Sequence, residues 1–344
     1  MRMKVLISCL LSLICAAASA AMAQQPLRVN VGITNALADV GFFIADKRGY
    51  FAQENIRVNF VSFDAAARMI APFASGDLDV GGGGIAAGLF NAVNRGVGMR
   101  IVADKSTSAP GLSTAALVVR KDLVTAGRYR GPADLKGLKI AVPAPGTGTS
   151  TSISTFFNKH GFGLKDVDLA YMSFPQMVQA LQNRAIEGAF LTEPGLTKAI
   201  AEGTAQVVAP DDEMLPNHQI AVTLFSERFI NADRKIAVGF MKAMLKGTRD
   251  YNDAVKDGRL AGPGAEAIIA ILTEYSAIKD PAVYRAIKVH SCDPNGLINL
   301  ESLAVDLAFF RSEGLIEGPV SLAAAVDASL AEEAVRDIGR YPRK

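Results

Sequence analysis

Val29-Asn30-Val31-Gly32-Ile33, followed by Thr34-Asn35-Ala36 and a helix ending Lys47-Arg48-Gly49-Tyr50-Phe51, is repeated further along the chain. The second copy reads Lys139-Ile140-Ala141-Val142-Pro143, a loop of small and hydroxyl residues at 144–150, and a helix ending Lys159-His160-Gly161-Phe162. In both copies a glycine follows a basic last turn, the pattern that stops a helix. The next strands correspond as well: Phe60-Val61-Ser62-Phe63 against Tyr171-Met172-Ser173-Phe174. Each is followed by a helix and then by an acid-marked short strand, Asp77-Leu78-Asp79-Val80 against Ile186-Glu187-Gly188-Ala189-Phe190. Two strand–helix–strand–helix–strand units predict an α/β protein of two Rossmann-like lobes with parallel sheets.

Apolar, β-rich segments at 114–120 and 220–225 flank the second unit, and the expected crossovers between lobes, which form a two-segment hinge, lie there. The expected organisation is a discontinuous first lobe (27–118 and 222–344) and a second lobe at 119–221. Beyond Ser226 the pattern is helical, at 232–256, 264–277, 281–289, 300–313 and 322–330, with Asn299 as an N-cap and Gly314 as a stop. This tail is expected to pack on the first lobe, to which the chain has just returned.

The 344 residues are 50% hydrophobic and 20% charged, ordinary for a globular protein and unlike a disordered or coiled-coil chain. With 36 basic and 34 acidic residues the formal charge is +2, so no basic face points to nucleic acid. Arg2 and Lys4, the apolar stretch 5–18 and Ala21-Met22-Ala23 form a cleavable export signal at 1–23, too short to span a membrane. The expected mature chain starts at Gln24, carries no lipid, and is periplasmic. Removal of the leader takes away Cys9 and Cys15 and leaves Cys292, which has no disulfide partner and reads as a packed small hydrophobe.

In open parallel sheets, ligands bind beyond the carboxyl ends of the strands. Four such ends carry unusual residues. They are the loop from Thr34 with Asn35, Ala36 and Asp39, entering a helix at Phe42; Gly81-Gly82-Gly83-Gly84-Ile85-Ala86, read as following a strand that ends at Val80; Thr147-Gly148-Thr149-Ser150; and Thr192-Glu193-Pro194. Each is expected to lead into a helix whose first N–H groups, with hydroxyl donors beside them, suit a carboxylate or sulfonate. Gly83, Gly84, Ile85 and Ala86 are expected to face Thr147–Ser150 residues across a cleft. None of the four loops holds Lys or Arg. Asp39 and Glu193 favour an amine or N–H on the ligand if they face it, and otherwise cap helices; Phe42 offers either a stacking face or a core side chain. His218, at the return crossover, is a further candidate for the cleft.

Catalytic and cofactor patterns fail. Gly82-x-Gly84-x-x-Ala87 with Asp104 downstream has the outline of a dinucleotide fingerprint but ends in alanine, and no proton-transfer group stands beside it. His160, His218 and His290 are dispersed, without metal-ligand spacing. Ser276-Ala277-Ile278-Lys279 lacks the partner motifs of a Ser-x-x-Lys enzyme, and there is no nucleophile elbow or Walker loop. The expectation is a non-enzyme without cofactor or metal.

Gly41-Phe42-Phe43-Ile44-Ala45 with Arg48-Gly49-Tyr50-Phe51, Ala74-Ser75-Gly76-Asp77-Leu78-Asp79-Val80-Gly81, the run Asp134-Leu135-Lys136-Gly137-Leu138-Lys139-Ile140-Ala141-Val142-Pro143, and Glu193-Pro194 together resemble the nitrate/sulfonate/taurine-type periplasmic substrate-binding proteins of ABC transporters. The resemblance implies a Venus-flytrap fold of the type II periplasmic binding class, a small-molecule ligand in the cleft, and delivery to an inner-membrane permease and ATPase by a monomer. The ligand implied is a small organic anion: a sulfonate, a taurine-like compound or a carboxylic or aromatic acid. A pyrimidine-like heterocycle is the alternative. A ligand-presenting sensor or a thiamine-pyrimidine synthase shares the architecture, but the synthase's cysteine-rich motif is absent.

Overall fold

The computed structural model describes residues 25–276 and 278–342; the leader, with Cys9 and Cys15, and the expected start at Gln24 lie outside them. The first unit supplies β1 (Leu27–Ile33), β2 (Ile56–Ser62), β3 (Val80–Gly84) and β4 (Met99–Ser108), with α1 (Val40–Lys47) and α2 (Ala87–Asn94). The second supplies β5 (Ala115–Arg120), β6 (Lys139–Val142), β7 (Asp168–Tyr171), β8 (Gly188–Thr192) and β9 (Ala205–Pro210), with α3 (Gly148–Lys159), α4 (Phe174–Gln182) and α5 (Gly195–Ala201). After β10 (His218–Ser226) come α6 (Arg234–Ala254), α7 (Ala265–Tyr275), α8 (Pro281–Ala286), α9 (Leu300–Ser312) and α10 (Ser329–Ile338).

Two five-stranded sheets result, ordered β2-β1-β3-β10-β4 and β7-β6-β8-β5-β9. The repeat is explicit in the register: β1 runs parallel to β2 and β3, and β6 runs parallel to β7 and β8. Gly49 and Gly161, the paired helix stops, both adopt left-handed conformations, with φ of 71° and 79°, which a side chain would disfavour.

The sheets are mixed rather than purely parallel. β10 lies antiparallel between β3 and β4, and β5 lies antiparallel between β8 and β9. The crossovers expected at 114–120 and 220–225 are therefore corrected: those segments are interior strands, and the chain changes sheet at 109–114 and 211–217. The boundaries expected after 118 and 221 fall inside β5 and β10. A run such as Ala115-Ala116-Leu117-Val118-Val119, buried along its whole length, belongs where both faces of a sheet are covered.

Each sheet is covered on both sides. Val29, Val31 and Ile33 of the first sheet pack with Phe43, Phe240 and Leu245 on one face. Its other face is closed by Phe73, Phe90, Leu307 and Phe310. The second sheet is sealed by Phe156 and Phe157 of α3 on one side and by Met177 and Leu181 of α4 on the other. The helical tail packs on the first lobe, most extensively through α6 against α1. The Asn299 side chain accepts from the Ser302 N–H at 3.1 Å, capping α9 as expected. The helix expected at 322–330 is broken instead, because Asp327 accepts from the Ser329 N–H at 3.0 Å and starts α10. Among the described residues no helix is long and apolar enough to cross a membrane.

Candidate functional site

Beyond the carboxyl ends of the sheets the candidate residues gather in three separate groups, with His218 in a junction of its own. In the first, Ile85 and Ala86 meet Thr147 and Gly148 directly. Ala86 and Thr147 form an antiparallel bridge, the Ala87 N–H donates to the Gly146 carbonyl at 2.9 Å, and the Gly148 N–H donates to Ile85 at 3.1 Å. The first turn of α3 thus already has a partner from the other lobe. Its hydroxyls are engaged too: Thr147 and Ser150 both donate to the Ala144 carbonyl, at 3.3 Å. Thr149 is half-buried on the same turn and left to offer a ligand, while the Thr151 hydroxyl is buried without a partner among the described residues.

The glycine run departs from expectation. Gly81–Gly84 is not a loop after a strand but β3 itself, hydrogen-bonded along β10. Gly82 and Gly83 are accounted for by what lies against them. A Cβ on Gly82 would stand 2.4 Å from the Cε of Lys105, and one on Gly83 would stand 2.3 Å from the Cβ of Ala66. The run makes room for neighbouring side chains rather than for a phosphate.

The second group is built on β4. Lys105, 6% exposed, lies across Gly82, and its ammonium sits 2.7 Å from Asp39 Oδ1. The two groups meet without the alignment of a hydrogen bond, so the contact is electrostatic. Asp39 Oδ2 accepts from the N–H groups of Thr34 and Ala36, at 3.1 and 3.0 Å, and so shapes the loop that carries Asn35. Asn35 is half-buried in a left-handed conformation, with φ of 55°. Phe42 is a core residue rather than an open stacking face: it is 1% exposed and packs edge-on against Phe240, 6.1 Å between centroids. Lys105 was not among the sequence candidates, because it lies within the strand run Met99–Ser108 and outside every strand-end loop. The Asp104-Lys105 pair directly after the apolar run Ile101-Val102-Ala103 was the available signal. Asp104 is turned to groups of the protein itself. Its buried carboxylate accepts from Thr107, from Gln219 and from the Asp293 N–H, while burial raises its pKa to about 6.

His218 belongs to a junction between lobes. Its Nδ1 lies 3.0 Å from Ser152 Oγ on α3 and 3.6 Å from Asp211, and its Nε2 lies 3.3 Å from Asp306 on α9. This has the membership of a Ser-His-Asp triad but not its chemistry. Burial would lower the imidazole pKa, yet hydrogen bonds and charge from Asp211 and Asp306 outweigh it and raise the value to about 10. An imidazolium cannot take a proton from serine, and all three groups are sealed from solvent. The cluster ties the lobes together.

Glu193 stands in the third group, at the end of β8. Its carboxylate accepts from the Thr197 N–H at 3.0 Å and from the Thr197 hydroxyl at 2.8 Å, so it caps the start of α5. Beside it a cavity of about 740 Å³ separates the starts of α4 and α5 from α8 of the first lobe. Its far wall, α8, was not among the sequence candidates. Of the sequence candidates Glu193 lines it, whereas the residues of the 35–42, 83–86 and 147–150 segments and His218 do not.

Two α/β lobes with a strand exchanged at each crossover, and a ligand-sized cavity between them, have the architecture of the periplasmic binding proteins. The chain belongs to the NMT1-like family, whose model matches residues 22–259. It is 28% identical over 239 residues to the taurine-binding periplasmic protein of Escherichia coli K12, covering 68% of this chain and 70% of that protein. The alkanesulfonate-binding protein SsuA of Xanthomonas axonopodis pv. citri, solved with MOPS bound, superposes with a TM-score of 0.67 at 18% identity, covering 89% and 99% of the two chains. The desulfurization enzyme DSZB superposes with a TM-score of 0.60 at 13% identity, covering 90% and 99%. The architecture is thus shared by binders and by an enzyme, and the site must decide between them.

Proposed function

We propose that the protein is an extracytoplasmic solute-binding protein of the sulfonate/taurine/nitrate import type, which captures a small organic anion between its lobes and delivers it to an ABC permease and ATPase. The observation that carries this reading is the cavity between α4, α5 and α8, whose volume of about 740 Å³ lies within the range of small-molecule sites. The taurine-binding relative and the sulfonate-binding neighbour support the ligand class. The protonated, buried His218 supports binding over hydrolysis.

A thermal-shift screen of sulfonates, aromatic carboxylates and pyrimidines tests the reading. A ligand at 100 times its Kd adds about 2.7 kcal/mol, enough for a clear rise in Tm. Organic anions should stabilise the protein; stabilisation by pyrimidines alone would replace this reading with the heterocycle alternative. With a stabilising anion identified, small-angle scattering should show a smaller radius of gyration at saturation, through rotation about 109–114 and 211–217. An unchanged radius would count against closure.

If the anion sits instead at the start of α3, outside the lining of that cavity, Thr149 is its donor from the second lobe. Thr149→Val keeps the side-chain shape and deletes the hydroxyl, leaving a ligand oxygen unpaired, at a cost of about 1–3 kcal/mol or roughly ten- to hundred-fold in affinity. Thr125, whose hydroxyl donates to its own helix at the exposed Lys121 carbonyl, is the control and should be nearly silent as Val. Equal affinities for the two variants, measured calorimetrically, would remove the start of α3 from the site.

A further inference from the structure

The interlobe cavity has walls that a taurine-sized ligand does not need. The second lobe contributes Phe174, Val178 and Pro194, and the first contributes Val283, Ala286 and Ile287 from α8 and its end. Its two carboxylates are already held by helix starts. Glu193 is bound by Thr197, and Asp280 accepts from the Ala282 N–H at 2.8 Å. Each therefore faces the partial positive charge of a helix N-terminus. Lys198 is the cation among the lining residues, exposed and only loosely paired, 3.9 Å from Glu202. An ammonium at the rim and hydrocarbon on two facing walls make a container for an amphiphilic anion.

A small zwitterion would leave Val283 and Ala286 on one side, and Phe174 and Pro194 on the other, facing water. Apolar surface is removed from water here only by a ligand that brings its own apolar body, and the gain then grows with the area covered. Both lobes supply such surface, so a ligand of that kind would also hold them together.

Resting on the binding function proposed above, we infer that the ligand is an organic anion with a bulky apolar body, an aryl or long-chain alkyl sulfonate or carboxylate, and that α8 is the wall that selects for it. The anionic head lies towards Lys198 and the body lies between α8 and α4. Selection by α8 belongs to the first lobe although every other lining residue comes from the second or from the turn before α8.

Calorimetric titration with taurine, the linear alkanesulfonates from ethane- to octanesulfonate, and 2-naphthalenesulfonate tests this on the full-length mature protein. Affinity should rise about fourfold per methylene, the equivalent of ~0.8 kcal/mol, until the cavity is filled. 2-Naphthalenesulfonate should bind well over tenfold more tightly than taurine. Ala286→Trp, on an exposed face of α8 and so compatible with folding, should fill the space and abolish the advantage of the bulky probes over ethanesulfonate. Lys198→Met should weaken every probe by a similar factor. Tight taurine binding without a chain-length gain would overturn the inference and leave the binding function standing. Chain-length gains untouched by Ala286→Trp would overturn it by moving the body elsewhere. Failure of every anion to bind would overturn both.

Discussion

The stability that His218 adds should be greatest below pH 6.5 and should drain away towards pH 10, while that of His290 should do the reverse. In the unfolded chain both imidazoles titrate near pH 6.5. In the folded protein they part. The carboxylates of Asp211 and Asp306 outweigh burial and hold His218 charged up to about pH 10. Burial, with the Lys105 charge nearby, holds His290 neutral down to about pH 3. The Tyr251 hydroxyl donates to the His290 carbonyl at 2.7 Å, so the imidazole Nδ1, 3.1 Å away, supplies the proton of their contact. That leaves Nε2 as a buried acceptor without a partner among the described residues.

A folded pKa raised above the unfolded one gives stability that is complete below pH 6.5 and is lost as pH rises through the folded value. A depressed pKa gives stability that is complete above pH 6.5 and is lost on acidification. Asp104, raised to about 6, titrates in the acid range with the opposite sign to His290, so the wild-type profile alone mixes the two. Differences against single variants separate them. Urea unfolding of wild type and His218→Gln should differ by about 3–5 kcal/mol at pH 6, because two buried carboxylates lose their charged partner. The gap should close by up to ~1.4 kcal/mol per pH unit above 6.5. Wild type minus His290→Gln should shrink at a similar rate below 6.5. Differences that stay flat from pH 4 to 10 would show that neither histidine titrates as its surroundings require.

Removal of the Lys105 charge should be nearly as costly. Lys105→Met leaves Asp39 buried with one oxygen still held by the Thr34 and Ala36 amides and the other facing hydrocarbon. Breaking a buried pair from one side costs about 3–5 kcal/mol. The double variant Lys105→Met/Asp39→Asn should recover most of it, since a neutral amide can still accept from the Ala36 N–H and no uncompensated charge remains. Denaturant midpoints at constant m value give the comparison. A single variant that costs under about 1 kcal/mol would mean the carboxylate finds solvent or another partner, and the pair would lose its place as the organiser of the 34–39 loop.

What the sequence revealed, and what it hid, follows from how far apart the contributing residues are. The duplicated strands and their glycine stops are local patterns, and β1, β2 and β6 lie where the repeat put them. The strand expected at 171–174 lies earlier, at Asp168–Tyr171, because Ser173 caps α4 and Phe174 opens it. Asn299 capping α9 is local in the same way. The glycine run was misread because its reason lies elsewhere in the chain: Lys105 and Ala66 occupy the space that side chains on Gly82 and Gly83 would fill. The crossovers were displaced because Ala115–Arg120 and His218–Ser226 are apolar enough for a sheet interior, and periodicity does not say which sheet. Lys105 escaped notice because a lysine in a strand reads as solvent-facing, and only the loop folding Asp39 back over β3 supplies its partner. His218 was legible as a junction residue, but Asp306, 88 positions later, was not.

The exchange of β5 and β10 also sets the order in which the molecule can be finished. All five strands of the second sheet lie within residues 115–210, an unbroken stretch that is complete as soon as it has been made. The first sheet is different, because β3 and β4 are not neighbours until β10 slides between them, and β10 ends at Ser226. The half of the protein that is synthesised first must therefore wait, open down its middle, for a strand encoded on the far side of its twin. Long-range closure of that kind is slow. The second lobe serves as the finished surface against which the older, unfinished one is assembled.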